Sequence, residues 1–139
     1  EGHVVGNHSV THPDMTTKSD AEIADEINGC SDYFKEVTGQ EMPHFFRPPE
    51  GAYSIRTLEK TKELGYKTIF WSFAYKDWLV DAQPGKQAAY DNVMKYSHNG
   101  CIMLLHAVSQ SNTEALDSII KDLKAQGYTF KSLYDLPQW

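Results

Sequence analysis

The 139-residue sequence has no long hydrophobic run, few cysteines and no excess of basic residues, and each shortage excludes a class of protein. Its longest strongly apolar stretch, Cys101 to Leu105, is far shorter than the roughly 18 apolar residues a membrane-crossing helix needs. Thirteen Lys and Arg against nineteen Asp and Glu leave a formal net charge of -6. The lysines are scattered, so no patch is set to release counterions from nucleic acid, and nucleic acid is not an expected partner. Two cysteines, Cys30 and Cys101, permit one disulfide at most and do not make the framework of a stapled secreted scaffold; both read as small buried apolar residues. The chain opens on Glu1 without a basic-then-apolar leader, which reads as a processed protein or a piece of a longer one. With 40% hydrophobic and 23% charged residues, the expectation is one soluble domain over residues 1–139.

Helix signals punctuate the chain. Ser19 with Glu22 three residues later is a capping box, and Ile23, Ile27, Cys30, Phe34 and Val37 then recur at helical spacing until Gly39 stops the run. A second helix is expected over 56–64, entered near Ser54, and a third over 87–97 after Pro84-Gly85. A fourth is expected over 113–126, with Leu116, Ile119, Ile120 and Leu123 on one face and Gly127 beyond its end. Between them lie short runs suited to buried strands: 3–6, 45–46, 66–71, 101–105 and 128–130. Five strands alternating with four helices imply an α/β fold with a parallel sheet, because parallel neighbours need a long return path.

Parallel sheets of this kind place their chemistry at the carboxyl ends of the strands. The polar residues just past each expected strand are His8 and His12, then Arg47, then Asp77, then His106. Nothing about packing requires reactive side chains at those points.

His8 and His12 are four residues apart, so one turn of tight backbone can aim both imidazoles at a single ion, although such a pair also arises on solvated turns. Zinc or a similar divalent ion wants a third protein ligand, and none is obvious here. Arg47-Pro48-Pro49-Glu50-Gly51 is a rigid segment in which the guanidinium either orients a carboxylate or is solvated at a surface turn. Asp77 could hold a histidine in one tautomer and Trp78 could wall a pocket, while Trp71 and Phe73 read first as core. His106 closes an apolar run, where a core role and an acid–base role compete. His3, His44 and His98 lack such company and read as structural or solvated.

Taken in order, His8-x-x-x-His12, Arg47-x-Pro49-x-Gly51, Asp77-Trp78 and Leu104-x-His106 resemble the later motifs of the polysaccharide deacetylases, carbohydrate esterase family 4, over nearly the whole chain. The wording around His8 and around Asp77 is most similar to the branch that deacetylates peptidoglycan N-acetylmuramic acid during spore-cortex muramic lactam formation. The resemblance implies a deformed (β/α) barrel, of which about five strands and four helices make the carboxyl-terminal portion without the opening strands. The family's first motif, which supplies an acidic base and a third metal ligand, is absent. Position by position, the resemblance implies His8 and His12 as ligands of a divalent metal such as zinc. Arg47 would orient the missing base, and Asp77 would pair with His106, which would protonate the leaving amine. Trp78 and Leu104 would line the acetyl pocket. Glu50, where the family often has Tyr, would meet substrate and offer its backbone N–H to the oxyanion.

The expected function is metal-dependent hydrolysis of N-acetyl groups on a carbohydrate polymer, with peptidoglycan first and chitin-like polymers as the alternative. The expected location is extracytoplasmic, at a cell wall or spore envelope. A catalytically incomplete piece or a glycan-binding relative is the other reading, because the acidic motif is missing. An unpaired sheet edge would favour self-association.

Overall fold

The computed structural model describes residues 2–137, which form two compact units dividing between Phe70 and Trp71. In the first unit, α1 (Asp20–Thr38) begins at Ser19, whose hydroxyl accepts the Glu22 N–H while the Glu22 carboxylate accepts the Ser19 N–H at 2.8 Å. It ends at Gly39, which takes the left-handed φ of 71° that closes a helix without a Cβ clash. α2 (Ile55–Glu63) begins at Ser54, capped reciprocally by Thr57. The helices pack over Met15, Ile23, Ile27, Phe46 and Tyr66, with Leu64 against them.

Strands β1 (Phe45–Phe46) and β2 (Lys67–Thr68) pair in parallel, Phe45 with Lys67 and Phe46 with Thr68. Asn7 bridges Phe46 in parallel on β1: its N–H donates to Phe45 O at 2.7 Å, and Arg47 N–H donates to Asn7 O at 2.9 Å. Three segments therefore run side by side, and His8 and Arg47 emerge just past two adjacent ends.

The second unit repeats the scheme. Phe73 bridges Met103 in parallel, with Ser72 N–H donating to Ile102 O at 2.7 Å and Leu104 N–H to Phe73 O at 3.2 Å. Helices α3 (Lys86–Tyr96) and α4 (Gln110–Ala125) pack on each other through Ala89, Val93, Ala115, Ile119 and Leu123, flanked by Phe73, Met103 and Leu105. Asp77 and His106 lie beyond the two paired segments.

The α/β class and all four helices match expectation, with boundaries within three residues. The strands are shorter than expected: 3–6 reduces to a bridge at Asn7, 66–71 to two residues, 101–105 to a bridge at Met103, and 128–130 forms no strand. A run of β-formers becomes a ladder only where a partner's carbonyls and amides stand opposite. Two helix faces also differ. Val37 is 65% exposed at the end of α1, and Leu116 is exposed while Ala115 takes the buried place, so each stripe is narrower than its apolar spacing. Cys30 and Cys101 are partly buried free thiols, not fully buried as expected. Among the described residues no helix is long and apolar enough to cross a membrane.

These differences give a paired test in denaturant unfolding. Ile27→Ala, at a fully buried position, is expected to cost about 2–5 kcal/mol through lost transfer energy and a residual cavity. Val37→Ala, on the same sequence stripe but outside the core, is expected to stay within about 0.5 kcal/mol.

Candidate functional site

The segment from Asn7 to Pro13 is held against α1 at several points. Asn7, 1% exposed, donates from Nδ2 to the Ile27 carbonyl at 2.8 Å and accepts the Ser9 N–H on Oδ1 at 3.0 Å. Glu26 clamps the middle of the loop: Oε2 accepts the Val10 and Thr11 N–H groups, each at 2.8 Å, and Oε1 accepts the Thr11 hydroxyl at 2.5 Å. One turn along α1, a Cβ added at Gly29 would stand 3.2 Å from Val10 Cγ2, so the absent side chain admits the loop. Glycine in a helix interior costs about 1 kcal/mol against alanine, and close approach is its compensation here.

Within this loop the His8 and His12 rings meet edge to face with centroids 4.9 Å apart. His8 Nδ1 lies 2.6 Å from the Arg47 carbonyl. A carbonyl can only accept, so Nδ1 carries the proton and the lone pair of the neutral ring sits on Nε2. Carbonyl-bound imidazoles of this kind are what metal ligands show, because the second bond fixes tautomer and ring direction. His12 is exposed and its N–H donates to Ser9 Oγ at 3.0 Å. The donor set therefore fits two ligands of a divalent ion. Among the described residues no group of three His, Cys, Asp or Glu side chains comes together to complete a metal site.

Ser9, His12 and Glu50 have φ of 68°, 57° and 56°. Non-glycine residues occupy this left-handed region only when surrounding bonds impose it, and such strain gathers at functional segments. All three lie in the segments singled out from sequence. Arg47 is half-buried, and burial lowers its guanidinium from the ordinary value. Glu50 is exposed three residues further on.

In the second unit, Asp77 is fully buried and meets three N–H donors. Its Oδ1 accepts His106 Nδ1–H at 2.6 Å; its Oδ2 accepts the His106 backbone N–H at 2.8 Å and Asn112 Nδ2 at 2.6 Å. Gln83 Nε2 donates to the Asp77 carbonyl at 2.9 Å, so the main chain at Asp77 is also tied down. The Tyr75 hydroxyl donates to Asn112 Oδ1. Burial first, and then the Asp77 charge, push the Tyr75 phenol above its ordinary value, which keeps its proton available for that bond. The Trp78 ring, 47% exposed, stands edge-on to His106 at 5.5 Å. Leu104 is buried two residues before His106.

The residues expected from sequence thus fall into two groups: His8, His12, Arg47 and Glu50 in the first unit, and Asp77, Trp78, Leu104 and His106 in the second. Glu26, Ser9, Asn112, Tyr75 and Gln83 were not anticipated in supporting roles. Glu26 is one of several acids on α1, and Asn112 is one of several polar residues at the start of α4; only the fold distinguishes them. His44 stacks on Tyr66 and His98 Nδ1 pairs with the neighbouring Asn99 carbonyl, consistent with structural roles.

The Glu26 clamp gives a pH prediction. Burial alone would raise its carboxyl, but the bonds from Thr11 and Val10, with the Lys18 charge, together hold it below the ordinary glutamate value. A carboxyl depressed in the folded state contributes stability above its unfolded pKa and loses it as pH falls through the lower folded value. Hydrogen exchange at the Val10 and Thr11 amides should therefore stay slow as pH drops through the ordinary glutamate range and quicken only below it. Glu26→Ala should remove the protection at every pH.

Residues 1–69 match the polysaccharide deacetylase family. Peptidoglycan-N-acetylmuramic acid deacetylase PdaA of Bacillus subtilis is 51% identical over 136 residues, covering 98% of this chain and 52% of that protein. Its solved structure, a family 4 carbohydrate esterase, superposes with a TM-score of 0.93 at 50% identity over 97% of this chain and 58% of that one. A chitooligosaccharide deacetylase of Bradyrhizobium is 30% identical over 99% of this chain and 67% of its own length. A CE4 family pseudoenzyme from Bacillus anthracis superposes with a TM-score of 0.81 at 36% identity, over 90% of this chain and 43% of that one. The chain spans about half the length of PdaA. On these matches and on motifs standing at strand ends, the chain belongs to the polysaccharide deacetylase family, carbohydrate esterase family 4.

Proposed function

We propose that the chain is the carboxyl-terminal portion of a catalytic domain that hydrolyses N-acetyl groups on a cell-wall carbohydrate, with peptidoglycan muramic acid as substrate, as in spore-cortex muramic lactam formation. The observation that carries this reading is the Asp77–His106 pair. A buried carboxylate holds Nδ1–H, so Nε2 is left as the nitrogen that exchanges protons with a substrate. Two of the three named relatives are a muramic acid deacetylase and a chitooligosaccharide deacetylase, and their similarity supports this substrate class. Muramic acid is preferred over chitin-like polymers on the 51% identity to the former against 30% to the latter.

Breaking an amide requires an activated water, a stabilised oxyanion and a proton for the departing nitrogen. His8 and His12 would hold a divalent ion such as zinc, which when bound supplies Lewis acidity and a water of pKa about 7. From its Nε2, protonated His106 would deliver the proton to the leaving amine, and Asp77 would stabilise the imidazolium as it donates. Arg47 would orient the carboxylate that accepts the proton of the attacking water. Among the described residues its guanidinium has no hydrogen-bond or ion-pair partner, and a half-buried cation gains most from such a carboxylate. The Glu50 N–H, at a left-handed backbone position, would donate to the oxyanion, and its exposed carboxylate would meet the sugar. Trp78 and Leu104 would wall the site of the acetyl methyl group. Location at the cell wall or spore envelope follows from the substrate. Self-association through a strand edge is part of the same reading, and light scattering measures it.

A second reading, a non-catalytic relative, is favoured by the lack of a third metal-ligand side chain among the described residues and by the pseudoenzyme found among similar structures. Zinc titration with an acetate-release assay on peptidoglycan separates the two. Tight zinc binding with turnover is expected of the complete domain; neither would leave the second reading. His12→Ala should abolish zinc binding and acetate release together. His106→Ala should leave zinc affinity unchanged and slow turnover by about 10²–10⁴-fold, the usual contribution of a positioned proton donor.

A further inference from the structure

The bonds beyond Asp77 have a direction. Every contact at its two carboxylate oxygens comes from an N–H, so Asp77 acts as an acceptor on both. An asparagine amide presents oxygen or nitrogen from nearly the same shape, and with its oxygen toward Asp77 two acceptors would oppose each other. The Tyr75 hydroxyl removes that choice. It donates to Asn112 Oδ1, which turns Nδ2 toward Asp77 Oδ2, and Nδ2 also lies 3.5 Å from the His106 carbonyl. Asn112 itself is held in the first turn of α4, where its N–H donates to the Ser109 hydroxyl oxygen at 3.2 Å. Ser109 Oγ in turn donates to Gln83 Oε1 at 2.8 Å, and Gln83 Nε2 returns to the Asp77 carbonyl. The circuit closes on the residue that holds the histidine, and none of its members needs to touch substrate.

We infer that Asn112 is a positioning residue for His106, acting through Asp77, and that Tyr75 is the lock on its amide. By occupying Oδ2 together with the His106 N–H, Asn112 stops the carboxylate from rotating. Oδ1 stays on Nδ1–H, and the lone pair of the neutral ring stays on Nε2. A carboxylate with one donor fewer can turn, and the imidazole then samples the other tautomer, in which the working nitrogen is no longer Nε2. Buried polar circuits with every member satisfied rigidify in this way, and a circuit with one member missing loosens. The importance for turnover rests on the reading of His106 as proton donor; the placement of the ring does not.

The test reads the tautomer directly. In 15N-labelled protein, the ring nitrogens of His106 are assigned by their loss in His106→Gln and measured well above the imidazole titration range. The wild-type protein should show a protonated Nδ1 and an unprotonated Nε2. In Asn112→Ala and in Tyr75→Phe both resonances should move toward an average of the two tautomers. A folded Asn112→Ala protein with the wild-type tautomer overturns the inference. If Asn112→Ala does not fold, Tyr75→Phe, which removes one oxygen atom, decides alone, and a wild-type tautomer there overturns it. The measurement needs neither substrate nor metal. Failure to release acetate therefore counts against the proposed function alone, and an unchanged tautomer counts against this inference alone.

Discussion

Parallel main-chain pairing over very few residues decides where the reactive groups emerge. Asn7 lies beside Phe46 because its N–H and C=O meet Phe45 O and Arg47 N–H, and that one exchange sets His8 and Arg47 at neighbouring chain ends. The same exchange between 72–73 and 102–104 sets the directions in which Asp77 and His106 leave the second unit. Helical crossovers make such adjacency possible, since a parallel neighbour is reached only through a long connection. Helices α1 and α3 serve as those connections, and the side chains that hold the reactive segments come from α1, with Glu26 for the histidine loop, and from α4, with Asn112 for Asp77.

Holding the histidine loop has a cost. Ser9 and His12 in the left-handed region are each disfavoured by about 1–2 kcal/mol relative to ordinary backbone, and Gly29 weakens the helix that supports them. Against this stand the Glu26 bonds to two amides and a hydroxyl, and the two bonds of the buried Asn7 side chain. Charge-assisted bonds are stronger than neutral ones, which is why a carboxylate rather than a hydroxyl suits the clamp. The ring that results, His8, has its tautomer set by a main-chain carbonyl, a device that needs no further side chain.

The two charged centres are treated differently. Asp77 is fully buried and satisfied by donors from its own unit, so its position is determined by the fold before any ligand arrives. Arg47 is half-buried without a hydrogen-bond or ion-pair partner for its guanidinium among the described residues, and desolvation already works against its charge. A group of the first kind orients another residue; a group of the second kind is suited to receive an anion.

Helices and motif positions were legible in the sequence, while strand lengths and supporting residues were not. Caps and glycine stops are local: Ser19, Ser54 and Gly39 satisfy or end the backbone hydrogen bonds of their own helices, so a few neighbouring residues suffice to place them. His8, His12, Arg47, Asp77 and His106 could be picked out because they are reactive side chains in the segments that follow the expected strands. Strand extent depends on which carbonyl lies opposite which amide, and 128–130 is apolar enough for a strand yet has no ladder partner among the described residues. Val37 and Leu116 keep helical spacing but lie outside the width of surface that the neighbouring element covers. The local order of the chain by itself therefore determined the α/β alternation, the helix ends and the residues able to carry chemistry. Only tertiary structure decided that Glu26 would clamp a loop fifteen residues away and that Asn112 would share Asp77 with His106. A hydrogen bond needs its partners within about 3 Å, a distance no sequence spacing specifies until the intervening chain has folded.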